Sequence, residues 1–114
     1  ARAVRELGPR AVVLTGGHTA DGADVFFDGE TLEAIEGLRH PDGASHGSGC
    51  THSSALAASL AHGFEPLAAA RAAREIAAEA VANGFRELGG GTGPVDVLGV
   101  RARAAELDQE REQQ

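Results

Sequence analysis

Ser45-His46-Gly47-Ser48-Gly49-Cys50-Thr51 places two glycines immediately ahead of a run of small and apolar residues that stops at Gly63. The spacing predicts a glycine loop feeding a helix from about Cys50 to His62. Glycines at that point let the backbone turn until several N–H groups aim at one place. The first-turn amides of a helix have no intrahelical acceptor, and the helix dipole adds partial positive charge there. The product is an anion site that needs no cationic side chain. A plainer alternative stays open: Gly-Ser-Gly also suits a flexible linker, with Cys50 a small buried hydrophobe.

The rest of the composition favours such a backbone-made site. Lysine is absent, all ten basic residues being Arg, and 17 Asp+Glu give a net charge of −7. A P-loop lysine, a Schiff base and a lysine general base are therefore excluded. An acidic chain without a basic stripe is a poor binder of nucleic acid or an anionic membrane. Cys50 is the single cysteine, so an intrachain disulfide, a zinc ribbon and a CxxC redox site are excluded too. No apolar run approaches the roughly 18 residues that span a bilayer, and no signal peptide is visible, so a cytoplasmic domain is expected. At 114 residues the chain has room for one domain. It starts without Met, its first residues Ala1–Leu7 read as uncapped helix, and four Phe are few for an independent core. The expectation is a fragment of a larger protein.

Working outward from the glycine loop, Gly8-Pro9 stops the first helix, and Ala11–Leu14 (AVVL) suits a buried strand of a parallel sheet. Thr15-Gly16-Gly17-His18 is a glycine turn at its carboxyl end. Ala23–Phe27 and Thr31–Ile35 flank Asp28-Gly29-Glu30, a hairpin pattern. Leu38–Gly49 lacks hydrophobic period and reads as loop. Pro66 opens a second long helix to about Asn83, with Gly84 as its stop. Ala70, Ala73, Ile76, Ala77, Ala80, Val81 and Phe85 form its apolar face, with Arg71, Arg74, Glu75 and Glu79 away from it. Leu88–Gly93 is a glycine-rich loop, and Val95–Leu98 a last short strand or turn. Arg101–Gln114 is charged, a frayed helix or a solvated tail. Helices, tight turns and an inner strand in this order are parts of an α/β layer architecture.

Cys50 opens the helix, where the local field favours a thiolate and suits it to act as base or nucleophile. Two other chemistries use the neighbouring histidines. A metal site would take His46, Cys50 and His52, but Cys50 and His52 diverge by about 200° on a helix, so no metal site is expected. A Cys–His hydrolase would use His18 or His46 as base to Cys50, without any local hydrolase motif to support it.

The order of features resembles the carboxyl-terminal half of the hydroxymethylpyrimidine/phosphomethylpyrimidine kinases of thiamine biosynthesis, in the ribokinase-like superfamily. The stretches that carry it are LGPRAVVLTGGH (Leu7–His18), DVFFDGE (Asp24–Glu30), SHGSGCTHSSALAASLAHG (Ser45–Gly63), the alanine-rich helix and GTGPV (Gly91–Val95). The most specific element is H-G-S-G-C-T, because most ribokinase relatives carry Asp in place of the Cys. The resemblance implies an α/β fold, part of a three-layer α/β/α sandwich, with residues 1–98 as the ATP-binding and catalytic half and residues 99–114 as the charged tail. It implies ATP with Mg2+ as donor, 4-amino-5-hydroxymethyl-2-methylpyrimidine or its phosphate as acceptor, and a homodimer. It makes Cys50 similar to the family's catalytic base, and Gly47, Ser48 and Gly49, with the Cys50 amide, similar to its anion hole. Thr15, Gly16 and Gly17 match the turn along the nucleotide phosphates, and the helix from Pro66 with its preceding loop matches the wall of the adenine pocket. Family members frequently carry Lys where this chain has Thr15, so phosphate binding leans on backbone amides and Mg2+. The family's acceptor pocket comes mostly from its amino-terminal half, so the chain alone is expected to be inactive. A pyridoxal-type kinase, or a non-catalytic nucleotide-binding fragment, are the alternatives.

Overall fold

The computed structural model describes residues 1–17 and 19–113. A four-residue helix α1 (Arg2–Arg5) precedes strand β1 (Val12–Leu14), the hairpin β2 (Asp24–Phe27) and β3 (Leu32–Ile35), and then three helices. These are α2 (Ser48–Ala61), α3 (Pro66–Ala82) and α4 (Val100–Glu112).

The hairpin forms where its turn chemistry puts it. Asp28 Oδ1 accepts from the N–H of Glu30 at 3.0 Å and of Thr31 at 2.7 Å, while Gly29 takes φ 102°. That is an Asx-type turn with glycine at the left-handed position. The register then pairs Asp24 with Ile35 and Phe26 with Glu33, and β1 adds antiparallel with Val13 opposite Phe26. Alternation puts Asp24, Phe26, Val13 and Ile35 on one face. There Phe26 and Ile35 pack with Ala70 of α3, and Ala11, Val13, Leu56 and Leu67 close around them. Val12 and Phe27 are buried on the opposite face, where the Arg2 guanidinium lies 5.0 Å from the Phe27 ring centroid. The sheet thus carries α2 and α3 on one side and α1 on the other, a partial α/β arrangement.

Several expectations are corrected. Ala11–Leu14 does not run in a parallel sheet among the described residues: β1 pairs only with β2, antiparallel, and Leu14 is 41% exposed. A short apolar run specifies burial on two faces but not the direction of its neighbour. Helix α2 begins at Ser48, two residues earlier than Cys50, because Gly47 at φ 90° already makes the turn. Of the two forms expected for Val95–Leu98, strand or turn, the chain takes no strand and bends at Val97–Leu98, while an isolated parallel bridge joins His46 to Pro94. On α3, Ala69, Ala70, Ala73 and Ala80 are buried, whereas Ile76 is 42% exposed and lines a cleft shared with Asp96, Val97 and Ala102. Alanine lets the helix approach closely, which leaves the larger Ile76 on the shoulder of the contact. Helix α1 ends at Arg5 rather than Leu7.

Residues Val100–Glu112 form helix α4, none of which is buried. Its start is held by Asp96, whose Oδ1 accepts from Val100 N–H at 2.9 Å and whose Oδ2 accepts from Arg101 N–H at 3.0 Å. These bonds, the one from Arg101 first, hold the Asp96 carboxyl below the usual carboxylate range. A depressed pKa means the contribution is present above the unfolded-state value and lost as pH falls through the folded one. Amide hydrogen exchange at Val100 and Arg101 is therefore expected to be slow at neutral pH and to lose its protection under acid, and Asp96→Asn should flatten that acid-dependent step. No helix among the described residues is long and apolar enough to cross a membrane.

Candidate functional site

The glycine loop is stitched down from behind. His46 N–H donates to Gly93 O and Val95 N–H to His46 O, each at 3.0 Å, while Phe85 N–H donates to Pro94 O at 2.8 Å. Gly93 is needed for this approach: at φ 74°, a Cβ there would lie 2.1 Å from Phe85 O. Ala44 N–H and Asp96 N–H donate to Val81 O and Ala80 O at the end of α3. The GTGPV stretch and α3 thereby fix the path of Ser45–Gly47.

Gly47 is the N-cap of α2, and no side chain caps the helix; no acidic residue occupies its first turn. The Gly47 carbonyl turns into the helix and accepts from Thr51 N–H at 2.9 Å and Thr51 Oγ1 at 2.8 Å. Ser48 N–H is engaged by Ser45 O at 3.1 Å. That leaves the amides of Gly49 and Cys50 as the first-turn donors without an intrahelical partner. The space beside Gly49 is open, a Cβ built there meeting nothing within 4 Å beyond its chain neighbours and its own helix backbone, and Cys50 is exposed. Gly47, Ser48, Gly49 and Cys50 are thus brought together at one exposed helix end with unopposed positive field.

The residues of the strand-end turn differ in exposure. Thr15 and Gly17 are exposed, but Gly16 is buried and its N–H donates to Asp24 Oδ1 at 2.8 Å. A Cβ on Gly16 would sit 1.9 Å from Ala23 O, so only glycine fits. The Gly16 amide faces inward, and Thr15 and Gly17 are the members of this turn that meet solvent. His18, named as a base to Cys50, lies outside the described residues.

Beneath the two segments lies a cluster that the sequence reading did not find. Asp24 is 2% exposed; its Oδ1 also accepts from Arg74 Nη1 at 3.0 Å, and its Oδ2 lies 3.4 Å from His52 Nε2. Arg74 was expected to point away from the apolar face, yet its side chain is largely buried because Asp24 stands opposite it. The available signal was parity. Asp24 stands two residues before Phe26, which puts a carboxylate on the buried face of a strand and demands a partner.

His46 and Cys50 are exposed whereas His52 is buried against Asp24, and no group of three His, Cys, Asp or Glu able to hold a metal ion occurs among the described residues. No hydrogen bond links Cys50 to His46.

The family model for phosphomethylpyrimidine kinase matches residues 1–96. The hydroxymethylpyrimidine/phosphomethylpyrimidine kinase of Streptomyces coelicolor is 43% identical over 97 residues, covering 84% of this chain and 36% of that protein. Among solved structures, the ADP complex of Bacillus subtilis pyridoxal kinase superposes with a TM-score of 0.75 at 37% identity, over 89% of this chain and 39% of that one. Staphylococcus aureus pyridoxal kinase in complex with AMP-PCP and pyridoxal gives 0.75 at 30% identity, over 88% and 38%. The chain spans a little over a third of the length of the curated relatives it matches.

Proposed function

The chain belongs to the phosphomethylpyrimidine kinase family, and from that premise we propose that it forms the phosphoryl-transfer side of an ATP-dependent kinase of a hydroxymethylpyrimidine or its phosphate. The observation that carries the reading is the uncapped, acid-free start of α2, with the exposed Cys50 beside the open Gly49. Preorganised backbone donors aimed at developing charge are what phosphoryl transfer needs most. In this reading the Gly49 and Cys50 amides stabilise charge on the transferring group, Gly47 sets their direction, and Ser48 keeps the loop closed. Cys50 Sγ takes the proton from the attacking hydroxymethyl oxygen. Thr15 and Gly17 flank the nucleotide phosphates, with a hydroxyl where relatives often have a lysine. A divalent cation such as Mg2+, bound with the nucleotide, would supply neutralisation of phosphate charge beside the Gly49 and Cys50 amides. A cytoplasmic homodimer belongs to the same proposal and rests on the family resemblance.

Both solved neighbours named above are pyridoxal kinases, so a pyridoxal-type acceptor is the second reading. The test grafts residues 1–96 into the Streptomyces coelicolor relative in place of its matching stretch and offers the chimera ATP with either acceptor. Turnover of the hydroxymethylpyrimidine above that of pyridoxal supports the first reading, and the reverse order supports the second. A folded chimera that phosphorylates neither would overturn both. The 114-residue chain alone is expected to bind nucleotide without turnover. Acceptor positioning is assigned to the parts of the relatives it does not match, and positioning can supply about 7–11 kcal/mol of a barrier.

The anion site itself is testable on the chain. A Cβ at Gly49 meets nothing within 4 Å beyond its own chain neighbours and helix backbone, so Gly49→Val should leave the fold in place. The β-branched side chain would stand over the donors, and inorganic phosphate should bind about tenfold more weakly if one charge-assisted bond is lost. Unchanged phosphate affinity in the folded variant would remove this site from the proposal.

A further inference from the structure

The two carboxylate oxygens of Asp24 reach groups from three separate segments. Gly16 belongs to the strand-end turn, Arg74 to α3, and His52 to α2, two residues beyond Cys50. The cluster is incompletely satisfied: Asp24 Oδ2, His52 Nε2 and Arg74 Nε are buried without a hydrogen-bond partner among the described residues. As a stabilising device this is inefficient, because well-packed apolar residues of similar volume usually hold a core as well or better. Direction is what a carboxylate adds. It fixes the Gly16 N–H at 2.8 Å in a turn with no room for a side chain, since a Cβ on Gly16 would lie 1.9 Å from Ala23 O.

We propose that Asp24 is a positioning residue that sets the strand-end turn against the amino-terminal end of α2, so that Thr15–Gly17 and Gly49–Cys50 address one nucleotide together. The inference rests on the proposed kinase reading and deepens it. Asp24 is buried; it acts through its hydrogen bond from the Gly16 amide and through the close approach of His52 Nε2, 3.4 Å from its Oδ2.

The test uses the 15N-labelled 114-residue chain titrated with Mg2+ and AMP-PCP, following the amides of Gly17 and Cys50. In the wild type both should move with one dissociation constant. Asp24→Leu/Arg74→Leu removes both charges together, so no unpaired buried ion remains. Asp24→Asn/Arg74→Leu does the same but keeps an acceptor for Gly16 N–H. The first variant should bind about tenfold more weakly, with the two amides titrating separately, and the second should stay within about twofold of wild type. A merely structural role predicts that the two variants behave alike, and that result overturns the inference. Should the Leu/Leu variant fail to fold, His52→Leu removes only the α2 end of the tether. It should uncouple Cys50 from Gly17, and a common dissociation constant there also overturns the inference. Wild type without shifts at either segment overturns the kinase reading and the inference with it, whereas coupled wild type with coupled variants removes only the role of Asp24.

Discussion

Arg74→Leu is expected to cost about 3–5 kcal/mol of folding stability, a large share of the 5–15 kcal/mol typical of a domain. Asp24 is 2% exposed and the Arg74 side chain 14%, so truncating the cation leaves a carboxylate out of reach of water. Gly16 N–H and His52 remain beside it, but neither supplies a permanent charge. The apolar core has little reserve to absorb this loss, since Phe26 is its one large fully buried hydrophobic side chain and four of its members are alanines of α3. Urea unfolding followed by helical circular dichroism measures the cost. Arg71→Leu is the control: its pair with Glu33 is an exposed one, with side chains 55% and 36% accessible, and should be worth no more than about 1 kcal/mol. Asp24→Leu/Arg74→Leu should recover most of the stability, because it is the orphaned charge that destabilises. Equal losses in the Arg71 and Arg74 variants would show that the buried pair behaves as a surface one.

Elements whose cause is local were legible in the chain. The Asp28-Gly29 turn carries its own hydrogen bonds, Pro66 and Gly63 mark helix ends without help from elsewhere, and each fell where the residues put it. What was not legible depends on partners distant in sequence. The antiparallel pairing of β1 is decided by the hairpin that follows it, and Ile76 is left exposed while the alanines of α3 are buried. The early start of α2 follows from the His46–Pro94 bridge, which holds the loop so that Gly47 alone makes the turn.

The site divides along the same line. Glycines before a helix announce free amides from sequence alone, and the structure puts Gly47–Cys50 together at one helix end. The Asp24 cluster joins residues up to 50 positions apart, and no periodicity links them. Gly16 shows what a purely local reading leaves out. A glycine at a strand end suits a phosphate turn, but its amide is already spent on Asp24, and its lack of a side chain answers to Ala23 O.

Cys50→Ala should lower turnover of the Streptomyces chimera by about 10²–10⁴-fold, the range that a positioned general base contributes. AMP-PCP affinity should stay within about twofold, because the proposed task of the thiol is to take a proton in the transition state and the nucleotide contacts there are made by backbone. The substitution isolates this role well. Cys50 is exposed on the first turn of α2, alanine is the best helix former, and the Cys50 amide remains in place as a donor. Cys50→Asp should keep measurable activity, since a carboxylate at the same helix start can also take the proton. Its charge, set against phosphates, should raise the Michaelis constant for ATP more than alanine does. Three kinetic profiles on proteins of equal helicity decide the assignment. A turnover loss with intact nucleotide binding in the alanine variant, partly restored by aspartate, places the base at Cys50 Sγ. Full turnover in Cys50→Ala would leave the amides as the sole contribution of this loop, and the proton would have to leave by another group.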